Sequence, residues 1–306
     1  MSRRIAVMGL GQMGWPIALN LARKGGGRET IVAVDADAAR VAGLQAAGVE
    51  APGLTATTDK GEVAGAEVLF LCLPDGDVVE SVLFGPEGLE RRLAPGATVV
   101  DLSTIAHGQA LSLGRALEAR GFRVLDAPVS GAPAGAEAGT LTVMCGGAPE
   151  TFAAMKPLLD RIGAQVLHMG PLGSGQLTKT INNVIYDINI AALAEVLPMA
   201  VAMGLDPGRL ATVVTTGTSR SYASQYFVPR ILRGEFDEGY PLGKAYKDLV
   251  SAAAVSVGRG FPLPVTAAAT ATYQMALRAG HGDRDKGAMV LPFEAMLGVK
   301  VRAPSG

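Results

Sequence analysis

Residues 5–25 read IAVMGLGQMGWPIALNLARKG. The apolar run 5–8 has the character of a buried strand, and residues 15–24 repeat their apolar positions at helical spacing. Between them, Gly9-Leu10-Gly11-Gln12-Met13-Gly14 fits the pattern G-x-G-x-x-G. Glycines at these positions allow a tight turn, close approach of a pyrophosphate, and close packing of helix on strand. The helix that follows offers free N–H groups and the positive end of its dipole to phosphate. Glycine turns also serve plain chain geometry, so it is the strand before and the helix after that make this a dinucleotide-binding signature. A second apolar run, 31–34, ends at Asp35, about twenty residues beyond Gly14, where a carboxylate can accept hydrogen bonds from a ribose diol. Asp37 is placed to cap the next helix, which leaves Asp35 for the ribose. A carboxylate repels a 2′-phosphate, and no arginine is expected to stand beside it, so the expected cofactor is NAD in preference to NADP.

The same alternation continues outward. Short β-rich runs at 68–73, 98–100, 124–125, 141–145 and 165–167 are separated by amphipathic stretches at 37–47, 78–83 and 109–120. This is the pattern of a doubly wound parallel sheet, a Rossmann-type α/β domain. Several runs are apolar throughout, as expected of strands covered by helices on both faces. After Gly170 the character changes to helix alone. A stretch from 176 to 203 keeps helical periodicity throughout, with Pro198 expected to kink or break it. Further helices are expected at 207–216, 222–232, 242–257, 264–279 and 286–296. The Gly/Ala-rich tract GAPAGAEAG at 131–139 reads as a loop. The expected organisation is a dinucleotide-binding domain over 1–170, then an all-helical substrate and dimerisation domain over 171–306, with a long helix linking them.

Composition narrows the function classes. Of the 306 residues 49% are hydrophobic and 18% charged, which leaves ample apolar surface for a core and for subunit contacts. A net charge of -1 supplies no basic footprint for nucleic acid or a membrane surface. Cys72 and Cys145 sit in apolar runs and read as buried strand thiols. With no C-x-x-C and no Cys/His cluster, neither a metal site nor a disulfide framework is expected. His107, His168 and His281 are scattered and read as structural. The chain runs from its first residues straight into a strand, leaving no room for a leader peptide. The long apolar stretch near 184–205 contains Asp187, Asn189 and Glu195, which argues against a membrane span. A cytoplasmic location is expected.

The chemistry-bearing residues lie in the long helix. Lys179, Asn182, Asn183 and Tyr186 follow Gly173-Ser174-Gly175, and Lys179 and Asn183 are neighbours at a spacing of four. Such a stripe on a helix is ordinarily just a solvated face. Here the flanks (Leu177, Ile181, Val184, Ile185, Ile188) are apolar, and asparagines within a helix are poor helix formers, so something other than folding requires them.

Four stretches together resemble the β-hydroxyacid dehydrogenase family, which includes 3-hydroxyisobutyrate dehydrogenases and tartronate semialdehyde reductases. They are GLGQMGWPIALNLARKG at 9–25, DAPVSGA at 126–132, GSGQLTKTINN at 173–183 and KDL at 247–249. The resemblance implies a homodimer or homotetramer that moves a hydride between NAD(P) and a small β-hydroxy acid or its semialdehyde. It implies Lys179 as catalytic acid/base, with Asn183 positioning the substrate. It makes Ser130, Gly131 and Ala132 the carboxylate-binding turn. It implies that Leu73, Pro74, Thr104 and Lys247 join Gly9, Leu10, Gly11, Gln12, Met13, Gly14 and Asp35 as cofactor contacts. One departure stands out: the family pattern has glycine where this chain has Ala132. Rival readings are an imine reductase, in which the lysine is typically replaced, and a non-catalytic dinucleotide-binding module; Lys179 and the intact glycine turn argue against both. Arg220, in the helical half, is a candidate grip for a second anionic group.

Overall fold

A computed structural model describes residues 2–47 and 51–303. Its strands are β1 (Arg3–Met8), β2 (Glu29–Val34), β3 (Leu54–Thr57), β4 (Val68–Leu71), β5 (Thr98–Asp101), β6 (Arg123–Asp126), β7 (Val129–Ser130), β8 (Leu141–Gly147) and β9 (Gly163–Gly170). The helices between them are α1 (Gly14–Gly25), α2 (Ala38–Ala47), α3 (Gly76–Phe84), α4 (His107–Glu118), α5 (Ala132–Ala138) and α6 (Pro149–Leu159). After β9 come α7 (Ser174–Ala202), α8 (Pro207–Thr216), α9 (Tyr222–Arg233), α10 (Leu242–Arg259), α11 (Pro264–Arg278) and α12 (Val290–Leu297). The chain forms two compact units, Met1–Lys179 and Thr180–Gly306, and the division falls inside α7.

The first unit is the expected Rossmann-type sheet. Strand order is β3-β2-β1-β4-β5-β6-β8-β7, with β9 beside β8. Strands β3 through β6 run parallel. β8 runs antiparallel to β6 and β7 and parallel to β9. Because successive side chains on a strand point to opposite faces, β1 feeds both cores. Ile5 and Val7 pack with Ile17 and Leu21 of α1, while Ala6 and Met8 pack with Leu83 of α3 and Leu117 of α4. That double coverage is why the strands read as unbroken apolar runs. The chain order reverses between β1 and β4, so their carboxyl ends, carrying the glycine turn and Cys72-Leu73-Pro74, flank a switch point where open α/β sheets bind ligands.

Three local features depart from the sequence expectations. The tract at 131–139 is helix α5, not a loop. Its alanines favour helix, Pro133 sits in the tolerated first turn, and Gly139 ends the helix in the left-handed conformation (φ 64°). Asn20 of α1 also donates to the Ala136 carbonyl at 2.8 Å, pinning α5's last turn. Second, α7 continues through Pro198 over 29 residues, so of the expected kink or break the break does not occur. Third, α7 is long and apolar enough to cross a membrane by length and composition alone, despite Asp187, Asn189 and Glu195. Half of its most apolar window is buried within the protein, against the core of the helical unit.

The second unit is all-helical. Ile190, Leu193 and Leu197 of α7 pack on Phe227 and Ile231 of α9, Leu249 of α10 and Tyr273 of α11. Within this core lies a buried charge. Asp187 of α7 is fully buried and accepts hydrogen bonds from Tyr273 Oη at 2.7 Å and from the Lys286 ammonium. Lys286 is itself buried and lies 4.4 Å from the centre of the Tyr186 ring. Lys286→Met would strand the Asp187 carboxylate and is expected to lower unfolding free energy by about 3–5 kcal/mol. In urea denaturation, adding Asp187→Asn should recover part of that loss, since no charge then remains buried.

Candidate active site

The glycines of the first turn answer to different constraints. Gly9 has φ 94°, and a Cβ there would collide with the Cys72 carbonyl oxygen. A Cβ on Gly14 would strike the Gly9 carbonyl oxygen. Gly11 is different: a Cβ there meets no protein atom within 4 Å. Its missing side chain leaves open space beside the N-terminus of α1, which no side chain caps. Leu10, Gln12 and Met13 complete the turn, with Leu10 buried and Gln12 exposed. This cradle fits the diphosphate of a dinucleotide.

Asp35, at the end of β2, is 9% exposed. It fastens the turn by accepting the Leu10 N–H at 2.6 Å, and also accepts the Asp37 N–H at 2.8 Å. Asp37 accepts the Ala39 and Arg40 N–H groups at the start of α2, so the capping role is indeed filled by Asp37. The expectation of no arginine beside Asp35 does not hold. The first turn of α2 brings Arg40 Nη1 to 3.5 Å from Asp35, with Nε 3.4 Å from Asp37.

Beyond the carboxyl ends of β4, β5 and β6 the loops are laced together by buried polar groups. Leu73 donates its N–H to Ser103 Oγ at 2.9 Å, and Ser103 donates its N–H to Asp101 at 2.9 Å. Pro74 follows Leu73 on the surface, and Thr104 follows Ser103 half-buried. Asp101 and Asp126 are direct partners in the parallel register of β5 and β6. Asp126 accepts the N–H groups of Gly173 and Gln176, both at 2.7 Å, and so caps α7. Gly175 permits this approach, since a Cβ there would collide with the carbonyl oxygens of Met144 and Asp126. Gln176 is fully buried; its Nε2 donates to the Ser103 carbonyl at 2.6 Å and its Oε1 accepts the Ile105 N–H at 3.2 Å.

Burial pushes the Asp101 carboxyl up to about 7, and the nearby Asp126 charge adds to the effect. Burial raises Asp126 as well, opposed by the amides it accepts. Cys72 and Cys145 are both pushed up to about 12 by burial and remain thiols. His107 pairs with the Gly173 carbonyl at 3.0 Å, and His168 pairs with the Gly147 carbonyl at 2.8 Å while stacking on Phe152; both are structural.

Lys179 is half-buried on α7, and Asn183 stands one turn further along the same helix. Asn183 Nδ2 donates to Asp248 at 2.8 Å, and its Oδ1 accepts from Asn182 at 3.2 Å. Asp248 is buried on α10 beside the half-buried Lys247. Arg220 is exposed in the link between α8 and α9. Asp101, Ser103, Asp126, Gln176 and Asp248 had no assigned role in the sequence reading. Their only signal there is position: Asp126, Gln176 and Asp248 fall inside the quoted motifs, and Asp101 ends an apolar strand.

Residues 4–170 match the NAD binding domain of 6-phosphogluconate dehydrogenase, and residues 173–293 match the family described as NAD-binding of NADP-dependent 3-hydroxyisobutyrate dehydrogenase. The chain is 34% identical over 301 residues to 2-(hydroxymethyl)glutarate dehydrogenase of Eubacterium barkeri, covering 98% of each chain. The chain belongs to the β-hydroxyacid dehydrogenase family. Crystal-structure similarity agrees. The 3-hydroxyisobutyrate dehydrogenase of Salmonella typhimurium superposes with TM-score 0.83 at 28% identity, covering 94% of this chain and 99% of that one. Psf3 in complex with NADP+ and 2-OPP superposes with TM-score 0.79 at 28% identity, covering 95% and 99%. As a member of this family the protein is an NAD(P)-dependent dehydrogenase acting on a hydroxyl group.

The departure from the family pattern is visible in the backbone. Ser130 ends β7, Gly131 has φ 139°, and Ala132 has φ 57°. Among the described residues Ala132 is the single non-glycine with positive φ. It holds a conformation that favours glycine, at a cost of about 1–2 kcal/mol for an L-residue.

Asp101 gives a pH signature. The folded protein retains this proton between about pH 4 and 7, where the unfolded chain has released it, so the group's contribution to stability falls as pH rises through that window. Asp101→Asn is expected to change Tm little near pH 4 and to raise it increasingly relative to wild type as pH rises to 7, with no further gain above that. A constant difference across the range would show that Asp101 titrates normally.

Proposed function

We propose that this dehydrogenase interconverts a short β-hydroxy acid and its semialdehyde with NAD, using Lys179 as acid/base. The observation that carries this reading is the setting of Lys179. It lies in the second turn of a helix whose N-terminus is fastened by Asp126 to the end of β6 and by Gln176 to the loop beyond β5. Bound NAD supplies the hydride acceptor. Lys179 Nζ takes the hydroxyl proton during oxidation and returns it to the forming alkoxide during reduction. Asn183, oriented by Asp248, keeps one amide hydrogen and one lone pair for the substrate. Ser130, Gly131 and Ala132 offer a hydroxyl and successive backbone N–H groups to the substrate carboxylate, a receptor without a full positive charge. Leu73, Pro74, Thr104 and Lys247 join the glycine turn in holding the cofactor. The helical unit leaves Met203, Val213, Val257 and Phe261 exposed, surface that a homodimer or homotetramer would cover.

A steady-state panel of 3-hydroxyisobutyrate, L-serine, D-glycerate and 2-(hydroxymethyl)glutarate, with matched uncharged alcohols, tests the substrate class. Turnover should be confined to the acids. With the fastest acid, Lys179→Ala should reduce kcat by roughly 10²–10⁴-fold while NAD still binds. Retained turnover would remove Lys179 from the mechanism.

The preference for NAD rests on Asp35, whose carboxylate opposes a 2′-phosphate. Arg40, the nearest cation to it, is already paired with Asp35 and Asp37. Comparison of kcat/KM should favour NAD for the native enzyme. Asp35→Ala should chiefly weaken NAD and relax the discrimination against NADP. Equal use of both cofactors by the native enzyme would refute the assignment.

A further inference from the structure

We propose that Gln176 is a positioning residue for hydride transfer, setting the register between the acid/base lysine and the cofactor loop at Thr104. This rests on the roles proposed above for Lys179 and Thr104. The carboxamide holds the backbone on both sides of Thr104, donating to the carbonyl before it and accepting from the N–H after it. Its own backbone N–H is held by Asp126. Three residues on, and about 4.5 Å along the helix axis, α7 carries Lys179. Displacing Gln176 therefore moves Lys179 relative to Thr104, with no water layer to absorb the change, since the side chain is fully buried.

The chemistry at this position is selective. One contact requires a donor and the other an acceptor, a few ångströms apart on one planar group, which glutamine supplies. A methionine of similar length would fill the space and avoid the cost of burying a polar group, but it would hold neither side of Thr104. A glutamate matches both contacts only while protonated, because its ionised form faces the Ser103 carbonyl oxygen with a second oxygen. A role in folding alone would show as lost stability, since the Ser103 carbonyl and the Ile105 N–H are left unpaired, with turnover of the folded enzyme unchanged. A role in positioning needs both hydrogen bonds during turnover.

The test uses the intact enzyme with the fastest acid of the panel, unlabelled and deuterated at the carbinol carbon. Gln176→Met should bind NAD within about threefold of wild type, yet lose roughly 10–100-fold in kcat, the scale of a sub-ångström to 1 Å misplacement. Its deuterium isotope effect on kcat should rise, because hydride transfer becomes rate-limiting. Gln176→Glu should add a falling limb to the kcat–pH profile, with activity recovered on acidification as the carboxyl protonates. Comparing one protein across pH keeps the test valid if Gln176→Met folds poorly. The inference is overturned if Gln176→Met lowers Tm but leaves kcat and the isotope effect unchanged, or if Gln176→Glu keeps the wild-type pH profile. Lys179→Ala, assayed alongside, separates the two ideas. If it keeps turnover, the acid/base assignment fails; if it loses turnover while Gln176→Met does not, only the positioning role fails.

Discussion

Two amide hydrogens at the start of α7 point at one buried carboxylate, Asp126, and the first unit is arranged around that contact. A helix N-terminus carries unsatisfied N–H groups and a partial positive charge, and burying it is tolerable only if something accepts those hydrogens. Asp126 does so from the end of β6, a strand fixed by its ladder to β5. The position of α7 is thereby referred to the sheet itself rather than to a flexible loop. The paired register places Asp101 beside Asp126, and two buried carboxylates resist being charged together. Asp126, engaged with helix amides, is the better anion of the two. Asp101 is the one that holds its proton, pushed up chiefly by its own burial and further by the Asp126 charge.

In the helical unit the same economy of buried polar contacts recurs. Asp248 fixes the amide of Asn183, and Asp187, one turn further along α7, is met by Lys286 and Tyr273. These groups are costly to bury and add little as core packing. Each ties a side chain of α7 to a partner elsewhere in the unit.

The parallel sheet, the glycine turn, the long helix and its lysine were legible in the sequence because each is written in local spacing. Apolar runs mark doubly covered strands, and a four-residue interval marks a helix face. What stayed hidden depends on partners far apart in the chain. Asp126 meets Gln176 across 50 positions, Gln176 meets Ser103 across 73, and Asn183 meets Asp248 across 65. No periodicity carries that information. Arg40 escaped notice because pairing through a helix turn is not adjacency in sequence. Helix α5 was hidden by glycines and a proline that usually mark loops; here Pro133 begins the helix and Gly139 ends it.

The glycines of the first turn also give a way of reading divergence among relatives. Gly9 and Gly14 are demanded by the chain's own backbone, so a descendant that lost either would have to rebuild the strand–helix junction. At Gly11 an added Cβ meets no protein atom within 4 Å. A descendant with a side chain there would fold as before and close the cradle against diphosphate. Retention of the outer two glycines with loss of the middle one is therefore the mark of a copy that has kept its architecture after giving up its chemistry.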